Sequence, residues 1–457
     1  MTYTVFSSVD NRLVESTVGH LTPKVGSAVN VASSDSSSLD TCKNVAPRGP
    51  FADRFENMAS AASGAKVIFA TDDWFAMAEN LLQDGPPIFD PNAYCEQGKV
   101  LDGWETRRRR QAGYDWCLIQ LSKRAAINAV ELDTAHFTGN NVPNISIDIC
   151  DLHAADLSKM VAKIPGAYER LLHGGVQGMG RLPEEVLKAS EVVSNGGDWK
   201  KVIPITPLSP GFEPTRMHYF TLRTPIIGNV IRINYFPDGG VARFRCWGKS
   251  LGYVKPATTP LYMPIKTCKE CTVVSHSSVN DESELPSRLV YDFSELSSVE
   301  EGGIGGACSN KHYGEPWRLI QTSLGKDMGD GWETARHPNR PGILITKSGS
   351  TLLETSLSDW AIIKLGKEAR SGVARIIIDT KHFRGNFPES VMVEGCYDPD
   401  NEGGDWFSLV PRSKMSPDAE HVFERSKNQI KNNDVTVTHI RVSIFPDGGI
   451  SRVRIYG

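Results

Sequence analysis

Two sets of polar side chains recur in the same order in the two halves of this 457-residue chain. The first contains carboxylates, arginines, a histidine and an asparagine, namely Asp72, Asp73, Asp102, Glu105, Arg107, Arg108, Arg109, Arg110, His136, Asn140 and Asp238. The second contains Asn310, Lys311, Asp330, Glu333, Arg336, His382, Asn386 and Asp447. Carboxylates and histidines transfer protons, and guanidinium groups bind carboxylates in a bidentate fork. These residue types indicate a site for a small anionic ligand with many hydrogen-bonding groups.

The two sets lie within sequence motifs that repeat. The repeated blocks are Asp102–Arg107 with Asp330–Arg336, Asp133–Asn140 with Asp379–Asn386, Gly196–Trp199 with Gly403–Trp406, and Phe236–Gly240 with Phe445–Gly449. Their separation of more than 200 residues excludes a solenoid, whose repeats span about 20–50 residues. The chain therefore contains a duplicated domain. Because Asp72-Asp73 becomes Asn310-Lys311, the copies are not chemically equivalent, and we expect the first to carry the chemistry.

Each candidate also has a structural explanation. Asp238 and Asp447 lie in Pro-Asp-Gly-Gly turns, where aspartate caps its own backbone and glycine adopts positive φ. His136 and His382 could each hydrogen-bond a loop carbonyl. The arginine run of residues 107–110 could be a solvated edge that pairs with carboxylates. The residues alone leave both interpretations open.

Most of the remaining pattern is typical of β-structure. Short apolar or alternating segments such as Ile145–Cys150 and Ile231–Phe236 end at Gly, Pro or Asp turns, and each half closes in a hairpin. Many short strands of this kind predict a β-sandwich or jelly roll. Helical patterns are confined to Trp74–Leu82 and to Pro183–Val193, where proline and carboxylates open a segment with apolar residues three and four apart. We therefore predict an all-β fold of two tandem sandwich repeats with short helical insertions.

Offsets between the repeated motifs set the expected domain boundaries. We expect a disordered N-terminal extension at residues 1–50, repeat 1 at 51–252, a linker at 253–288 and repeat 2 at 289–457. Between the second and third motifs the offset falls from 246 to 207 residues, which predicts an insertion in repeat 1 at about 151–195. An insertion of this size is expected at the surface.

Composition excludes several classes of partner. A net charge of −4 and a pI near 6.3 give no basic field for nucleic acid. No apolar run reaches the roughly 18–20 residues of a membrane helix, and a secretory signal is absent, so we expect a cytoplasmic protein that binds neither membrane nor nucleic acid. Cys268 and Cys271 form a lone Cys-x-x-Cys pair, whereas structural zinc takes four ligands. The sequence predicts no metal and no cofactor.

Several of these segments resemble the allantoicase (allantoate amidinohydrolase) family. The resemblance lies in Phe69–Ala76, Leu101–Arg109, Asp115–Cys117, Asp133–Asn140 and the Phe-Pro-Asp-Gly-Gly hairpins, and it covers about residues 51–457. It implies two jelly-roll, galactose-binding-like repeats and assembly into a homo-oligomer. It also implies hydrolysis of a C–N bond of the linear amidine allantoate, which yields ureidoglycolate and urea in allantoin (purine) degradation.

That chemistry suggests a role for each candidate. Glu105 and His136 are our candidate acid–base pair, because urea leaves poorly unless its nitrogen is protonated. We assign Arg107 or Arg109 to the substrate carboxylate. Ureido N–H groups need acceptors such as Asp72, Asp73 or Glu105, and Asp102 and Asn140 would orient the substrate. A metal ion could polarise the ureido carbonyl instead, although no ligand set stands out.

A different class of function also fits the fold. Galactose-binding-like sandwiches often only hold a ligand or another protein, and a fold does not determine a function. The alternative prediction is therefore a non-catalytic binding or protein-interaction module.

Overall fold

The computed structural model describes residues 49–251, 293–397 and 405–457, together with the backbone of three short strands near the N-terminus. These strands are β1 (Tyr3–Phe6), β2 (Leu13–Ser16) and β3 (Gly19–Leu21). Most of the predicted extension and linker, including Cys268 and Cys271, lies outside the described residues. Within the described parts, no helix is long and apolar enough to cross a membrane.

Repeat 1 is built from eleven described strands and three helices. The strands are β4 (Glu56–Asn57), β5 (Lys66–Ala70), β6 (Tyr94–Cys95), β7 (Gly98–Lys99), β8 (Trp104–Glu105), β9 (Asp115–Asp133), β10 (Asn144–Cys150), β11 (Lys200–Pro207), β12 (Met217–Phe236), β13 (Gly240–Val241) and β14 (Arg243–Ser250). The helices are α1 (Ala154–Lys163), α2 (Ala167–His173) and α3 (Pro183–Asn195).

Two long strands connect the two faces of the first sandwich. The first half of β9 pairs with β5 and with the second half of β12, which continues to β10 and β11. The second half of β9 pairs with β14 and with the first half of β12. Register shifts interrupt the β9–β12 pairing between Thr221 and Ile226 and again between Gly228 and Val230. Alternating side chains of these strands, such as Ile119, Ile147 and Phe244, fill the core between the faces.

Repeat 2 repeats this architecture with separate strands. They are β15 (Ile304–Cys308), β16 (Trp332–Glu333), β17 (Asp359–Ala369), β18 (Arg375–Asp379), β19 (Ser390–Cys396), β20 (Phe407–Lys414), β21 (Glu420–Glu424), β22 (Val437–Phe445), β23 (Gly449–Ile450) and β24 (Arg452–Tyr456). A five-stranded sheet in the order β15-β17-β22-β19-β20 accompanies a three-stranded sheet in the order β21-β18-β24. The structure confirms the predicted all-β fold of two sandwich repeats.

Helices occur where repeat 1 has its additional residues. Helix α3 confirms the helix predicted from Pro183, whereas α1 and α2 were not predicted. Leu157 and Met160 of α1 and Val193 of α3 pack with Ile68 and Trp116 of the sandwich in a separate apolar cluster. This packing covers the outer face of the sheet.

The helix predicted over Trp74–Leu82 is confirmed only in its second half. Only Ala78–Leu82 forms a helix, and it is a single 3₁₀ segment. Further short 3₁₀ segments lie at Val299–Glu301, Pro316–Ile320, Met328–Asp330 and Arg425–Lys427. The carboxylate of Asp72 accepts from Trp74 N, and the backbone of Ala76 pairs with Glu105. These bonds satisfy the backbone in an extended conformation, so the segment before Ala78 does not coil.

Candidate active site between the repeats

A cavity of about 230 Å³ lies between the two repeats. Both repeats contribute to its lining, which consists of Phe75, Phe89, Tyr94, Lys99, Leu101, Glu105, Arg108, His136, Thr138, Asn140, Tyr313, Met328, Gly329, Glu333, Arg336 and Asn386. Six of these residues are three pairs related by the internal repeat: Glu105 with Glu333, Asn140 with Asn386, and Arg108 with Arg336. The cavity therefore lies close to the axis that relates the repeats.

The six paired residues form two matching clusters. In one cluster, Glu105 Oε1 accepts from Asn140 Nδ2 at 2.8 Å and from Arg336 Nη2 at 3.1 Å. In the other, Glu333 Oε1 accepts from Asn386 Nδ2 at 2.8 Å and from Arg108 Nη2 at 2.7 Å. Each glutamate and its asparagine come from one repeat and the arginine comes from the other. We call these the Glu105 cluster and the Glu333 cluster.

The Pro-Asp-Gly-Gly turns fix both glutamates. Strand β8 with Glu105 pairs with β13, and β16 with Glu333 pairs with β23, immediately after each turn. The threonine that follows each glutamate locks the turn, because Thr106 Oγ1 accepts from Gly239 N and Thr334 Oγ1 accepts from Gly448 N. The repeated Trp-Glu-Thr motif thus positions one carboxylate per repeat.

The turn aspartates connect the two repeats. Asp238 accepts from Arg336 Nη1 and from Arg340 Nη1, the latter at 2.7 Å. Asp447 accepts from Arg108 Nη1 at 2.9 Å and from Arg110 Nη2 at 3.2 Å. Both aspartates are fully buried. Besides shaping their own turns, they form an ion-pair network across the interface.

Burial and charge shift the pKa values of these acids in opposite directions. Desolvation raises the pKa of Glu105 above its ordinary value despite Arg336 and Asn140, and it raises the pKa of Glu333 despite Arg108 and Asn386. Burial also acts on Asp447, but three arginines outweigh it and hold its pKa well below the ordinary value. The cavity glutamates can therefore exchange protons more readily than the turn aspartates.

The two repeated histidines have different surroundings. His136 and His382 both adopt positive φ, at 70° and 71°. His382 Nε2 lies 2.8 Å from Gly325 O, whereas His136 Nε2 lies 3.5 Å from Pro87 O and its ring stacks on Phe89 at 5.1 Å. His136 lines the cavity, and its imidazole makes a longer contact with the backbone than that of His382 does.

Of the eight residues that were assigned roles from the sequence, the structure brings three to the cavity, namely Glu105, His136 and Asn140. Arg107 and Arg109 instead line a neighbouring cleft of about 740 Å³. Arg107 Nε bonds Asp72 at 2.6 Å, and Arg109 Nη1 bonds Asp115 at 2.7 Å.

The other aspartates among the candidates contact arginines away from the cavity lining. Asp73 pairs with Arg170 of α2 at 2.6 Å, and Asp102 pairs with Arg243 at 2.6 Å. Arg170 belongs to the insertion that repeat 2 lacks, and the residue equivalent to Asp73 is Lys311, which pairs with Glu315. The change from Asp73 to Lys311 thus accompanies the absence of the insertion from repeat 2.

The sequence indicates no specific role for Arg108 within the arginine run, and it does not single out Tyr313 or Lys99. A signal for Arg108 existed, because the 228-residue offset aligns it with Arg336, whereas Arg107 and Arg109 align with Ala335 and His337. Tyr313 occupies the position of Phe75 in repeat 2, and burial raises the pKa of its hydroxyl. Lys99 lies in a segment that has no counterpart in the repeat, so no signal pointed to it.

The cavity lining combines carboxylate, amide and guanidinium groups with apolar side chains. Among the residues that the structure describes, no group of three or more His, Cys, Asp or Glu side chains could hold a metal ion. Carboxylates, amides and guanidinium groups in a partly apolar cavity can bind a small ligand and move its protons.

Comparison with known proteins identifies relatives over most of the chain. The family model "Allantoicase repeat" matches residues 56–251 and 294–457. A probable allantoicase from Rhizobium meliloti is 33% identical over 88% of this chain and 93% of its own length. Probable allantoicase 1 from Burkholderia mallei is 31% identical over 90% and 97%. The crystal structure of allantoicase from Saccharomyces cerevisiae is 28% identical, covers 89% of this chain and 95% of its own, and has a TM-score of 0.31. The chain belongs to the allantoicase family.

Proposed function

We propose that this protein hydrolyses allantoate to ureidoglycolate and urea, a step in the degradation of allantoin. One observation carries the proposal beyond family membership. The cavity between the repeats holds two equivalent Glu–Asn–Arg clusters, and allantoate carries two identical ureido groups on one carbon. Each cluster can bind one ureido group of the substrate.

Each cluster offers the partners that a ureido group needs. Glutamate oxygens accept N–H groups, and amide or guanidinium nitrogens that keep a free N–H, such as Arg336 Nε, donate to a carbonyl oxygen. Asn386 Oδ1 is buried and has no donor among the described residues, so it supports a further contact with a ureido N–H. An unsatisfied buried acceptor gains about 1–3 kcal/mol when a ligand satisfies it.

The acid–base chemistry is assigned to Glu105 and His136. Glu105 removes a proton from the nitrogen of the ureido group that stays. The lone pair then forms a C=N bond, and the bond from the central carbon to the other ureido nitrogen breaks. His136 protonates the departing nitrogen, which releases urea. Water adds to the C=N carbon and supplies the proton that returns to the nitrogen, so that one water is consumed per urea formed.

The cavity lining differs between the two sides, which supports catalysis on one side only. His136 and Phe89 belong to repeat 1, whereas the facing side has Tyr313, Met328 and Gly329. His382 is hydrogen-bonded to Gly325 O and does not line the cavity. We therefore assign proton transfer to the repeat 1 side and ureide binding to the Glu333 cluster.

The direct test is to incubate the purified protein with allantoate and to quantify urea and ureidoglycolate together. We expect one molecule of each per allantoate consumed. Binding of allantoate without any release of urea would contradict hydrolysis and would favour a galactose-binding-like interaction module.

We also propose that the protein acts in the cytoplasm as a homo-oligomer that binds neither nucleic acid nor membrane. Family resemblance supports the assembly, and the net charge of −4 disfavours nucleic acid. Light scattering on the eluting protein would measure its mass. A mass equal to one 50.2 kDa chain would contradict the assembly.

A further inference from the structure

Both Nη groups of each cavity arginine already donate hydrogen bonds. Arg108 donates through Nη1 to Asp447 and through Nη2 to Glu333 and Thr334 O. Arg336 donates through Nη1 to Asp238 and through Nη2 to Glu105 and Thr106 O. The buried Arg336 Nε has no acceptor among the described residues, and Arg108 Nε makes no hydrogen bond to them, but the single Nε–H of an arginine cannot grip both oxygens of a carboxylate. A substrate carboxylate in the cavity would therefore lie near the glutamates, and neither arginine could bind it through two parallel N–H groups.

Lys99 also lines the cavity and, unlike the two arginines, is not paired with a carboxylate of the described residues. It lies on β7, is half-buried, and has no carboxylate within ion-pair distance among the residues that the structure describes. Its Nζ lies 5.0 Å from the centre of the Phe89 ring and 5.8 Å from that of Tyr94. Both rings also line the cavity, and cation–π contacts of this kind hold an ammonium in place without neutralising it.

Repeat 1 has the hairpin that carries Lys99, and repeat 2 lacks its counterpart. The offset between the repeats falls from 238 residues at Leu81 to 228 at Asp102, so repeat 1 has ten more residues here, where β6 and β7 form. Glu96 of the hairpin pairs with Arg384 of repeat 2 at 2.9 Å. A Cβ atom at Gly98 would clash with Met328 Cε, so the hairpin packs directly on repeat 2.

We propose that the ammonium of Lys99 binds the carboxylate of the substrate and selects which ureido arm is cleaved. The inference rests on the proposed function and deepens it. Two equivalent clusters alone would accept the two arms in either order. A single cation to one side breaks that equivalence, because it fixes the carboxylate and thereby places one defined arm beside Glu105 and His136.

The test compares Lys99→Met with wild type on two ligands. One is allantoate, and the other is 1,1-methylenediurea, which has both ureido groups and no carboxylate. We expect kcat/KM for allantoate to fall about 10- to 100-fold, the worth of one charge-assisted contact. Inhibition by methylenediurea should change by less than about twofold. Lys99→Arg keeps the positive charge and should retain most of the activity. Lys123→Met, which removes an exposed lysine paired with Glu56, is the matched control and should behave as wild type.

Two results would overturn the assignment. One is an unchanged kcat/KM for allantoate in both Lys99→Met and Lys99→Gln. The other is an equal loss for allantoate and methylenediurea, which would mean that Lys99 only supports the shape of the cavity. Failure of wild type to release urea from allantoate would instead refute the proposed function, so the two failures are distinguishable.

Discussion

Burial raises the pKa values of Glu105 and Glu333, the two glutamates that line the cavity. Each is buried and bonded to an asparagine and to an arginine of the other repeat, yet desolvation outweighs these partners and raises both pKa values. A carboxylate with a raised pKa is, once ionised, a stronger base than an ordinary glutamate. Asp447 lies nearby with a depressed pKa, which suits a permanent ion-pair partner.

Replacing Asn140 with alanine should move the acidic limb of the pH profile. The hydrogen bond from Asn140 lowers the pKa of Glu105, so its loss raises that pKa further. The base is then deprotonated only at higher pH, and the acidic limb of kcat/KM shifts upward. Asn386→Ala is the control, because it acts on Glu333. A limb that moves only in Asn386→Ala would show that Glu333 is the base.

The pair of histidines offers a second test at single residues. His136→Gln should lower kcat about 10²- to 10⁴-fold if the imidazole protonates the leaving nitrogen. His382→Gln removes a hydrogen bond to Gly325 O outside the cavity lining, so it should reduce the melting temperature and leave kcat nearly unchanged. Steady-state kinetics of the two variants decide the matter. Equal kcat values for His136→Gln and His382→Gln would show that His136 does not take part in proton transfer.

At the scale of elements, the Pro-Asp-Gly-Gly hairpins stabilise the interface between the repeats. Asp447→Asn should cost about 3–5 kcal/mol at pH 7, because it leaves the buried arginines without their partner. Asp151→Asn, which breaks the exposed pair with Arg124, should cost about 0–1 kcal/mol. Denaturant unfolding measures both values.

The pH dependence of the Asp447 effect follows from its pKa. A depressed folded pKa gives stability that is present above the unfolded pKa of about 3.9 and lost as the pH falls towards the folded value. The difference between wild type and Asp447→Asn should persist at pH 5 and shrink below about pH 4. A difference that is already lost at pH 6 would contradict the assignment.

Local signals predicted some elements well and others poorly. Proline and carboxylates before an apolar pattern identified α3, and the alternating segments with glycine turns identified the sheets. The segment Trp74–Met77 stayed extended because its backbone bonds that of Glu105, which is distant in sequence, as well as the carboxylate of the adjacent Asp72. Residue spacing contains no information about such partners, so the pattern alone favoured a helix.

At the scale of the whole molecule, the site depends on contacts between the repeats. The sequence placed Glu105, His136 and Asn140 together, because they lie in one repeat and one motif set. Residue type did not distinguish Arg108 from its neighbours, since all four residues of the run are arginines, and only its alignment with Arg336 at the 228-residue offset marked it. Only the packing of one repeat against the other directs Arg108 to Glu333 and Arg336 to Glu105.

A ligand bound between the repeats should stabilise the molecule as one unit. With a catalytically inactive variant, allantoate at about 100 times its Kd should add about 2.7 kcal/mol and raise the temperature of a single unfolding transition. Calorimetry with and without allantoate makes the comparison. Two separate transitions, with only one of them shifted by allantoate, would place the site within a single repeat.

The most direct measurement is the rate of urea release from allantoate by wild type, Glu105→Gln and Glu131→Gln. Glu131 is the matched control, a buried glutamate of the same repeat that bonds Trp247 Nε1 away from the cavity and likewise has a raised pKa. We predict that Glu105→Gln loses about 10²- to 10⁴-fold in kcat while Glu131→Gln retains the wild-type rate. Full turnover by Glu105→Gln would contradict the assignment of Glu105 as the base of the reaction.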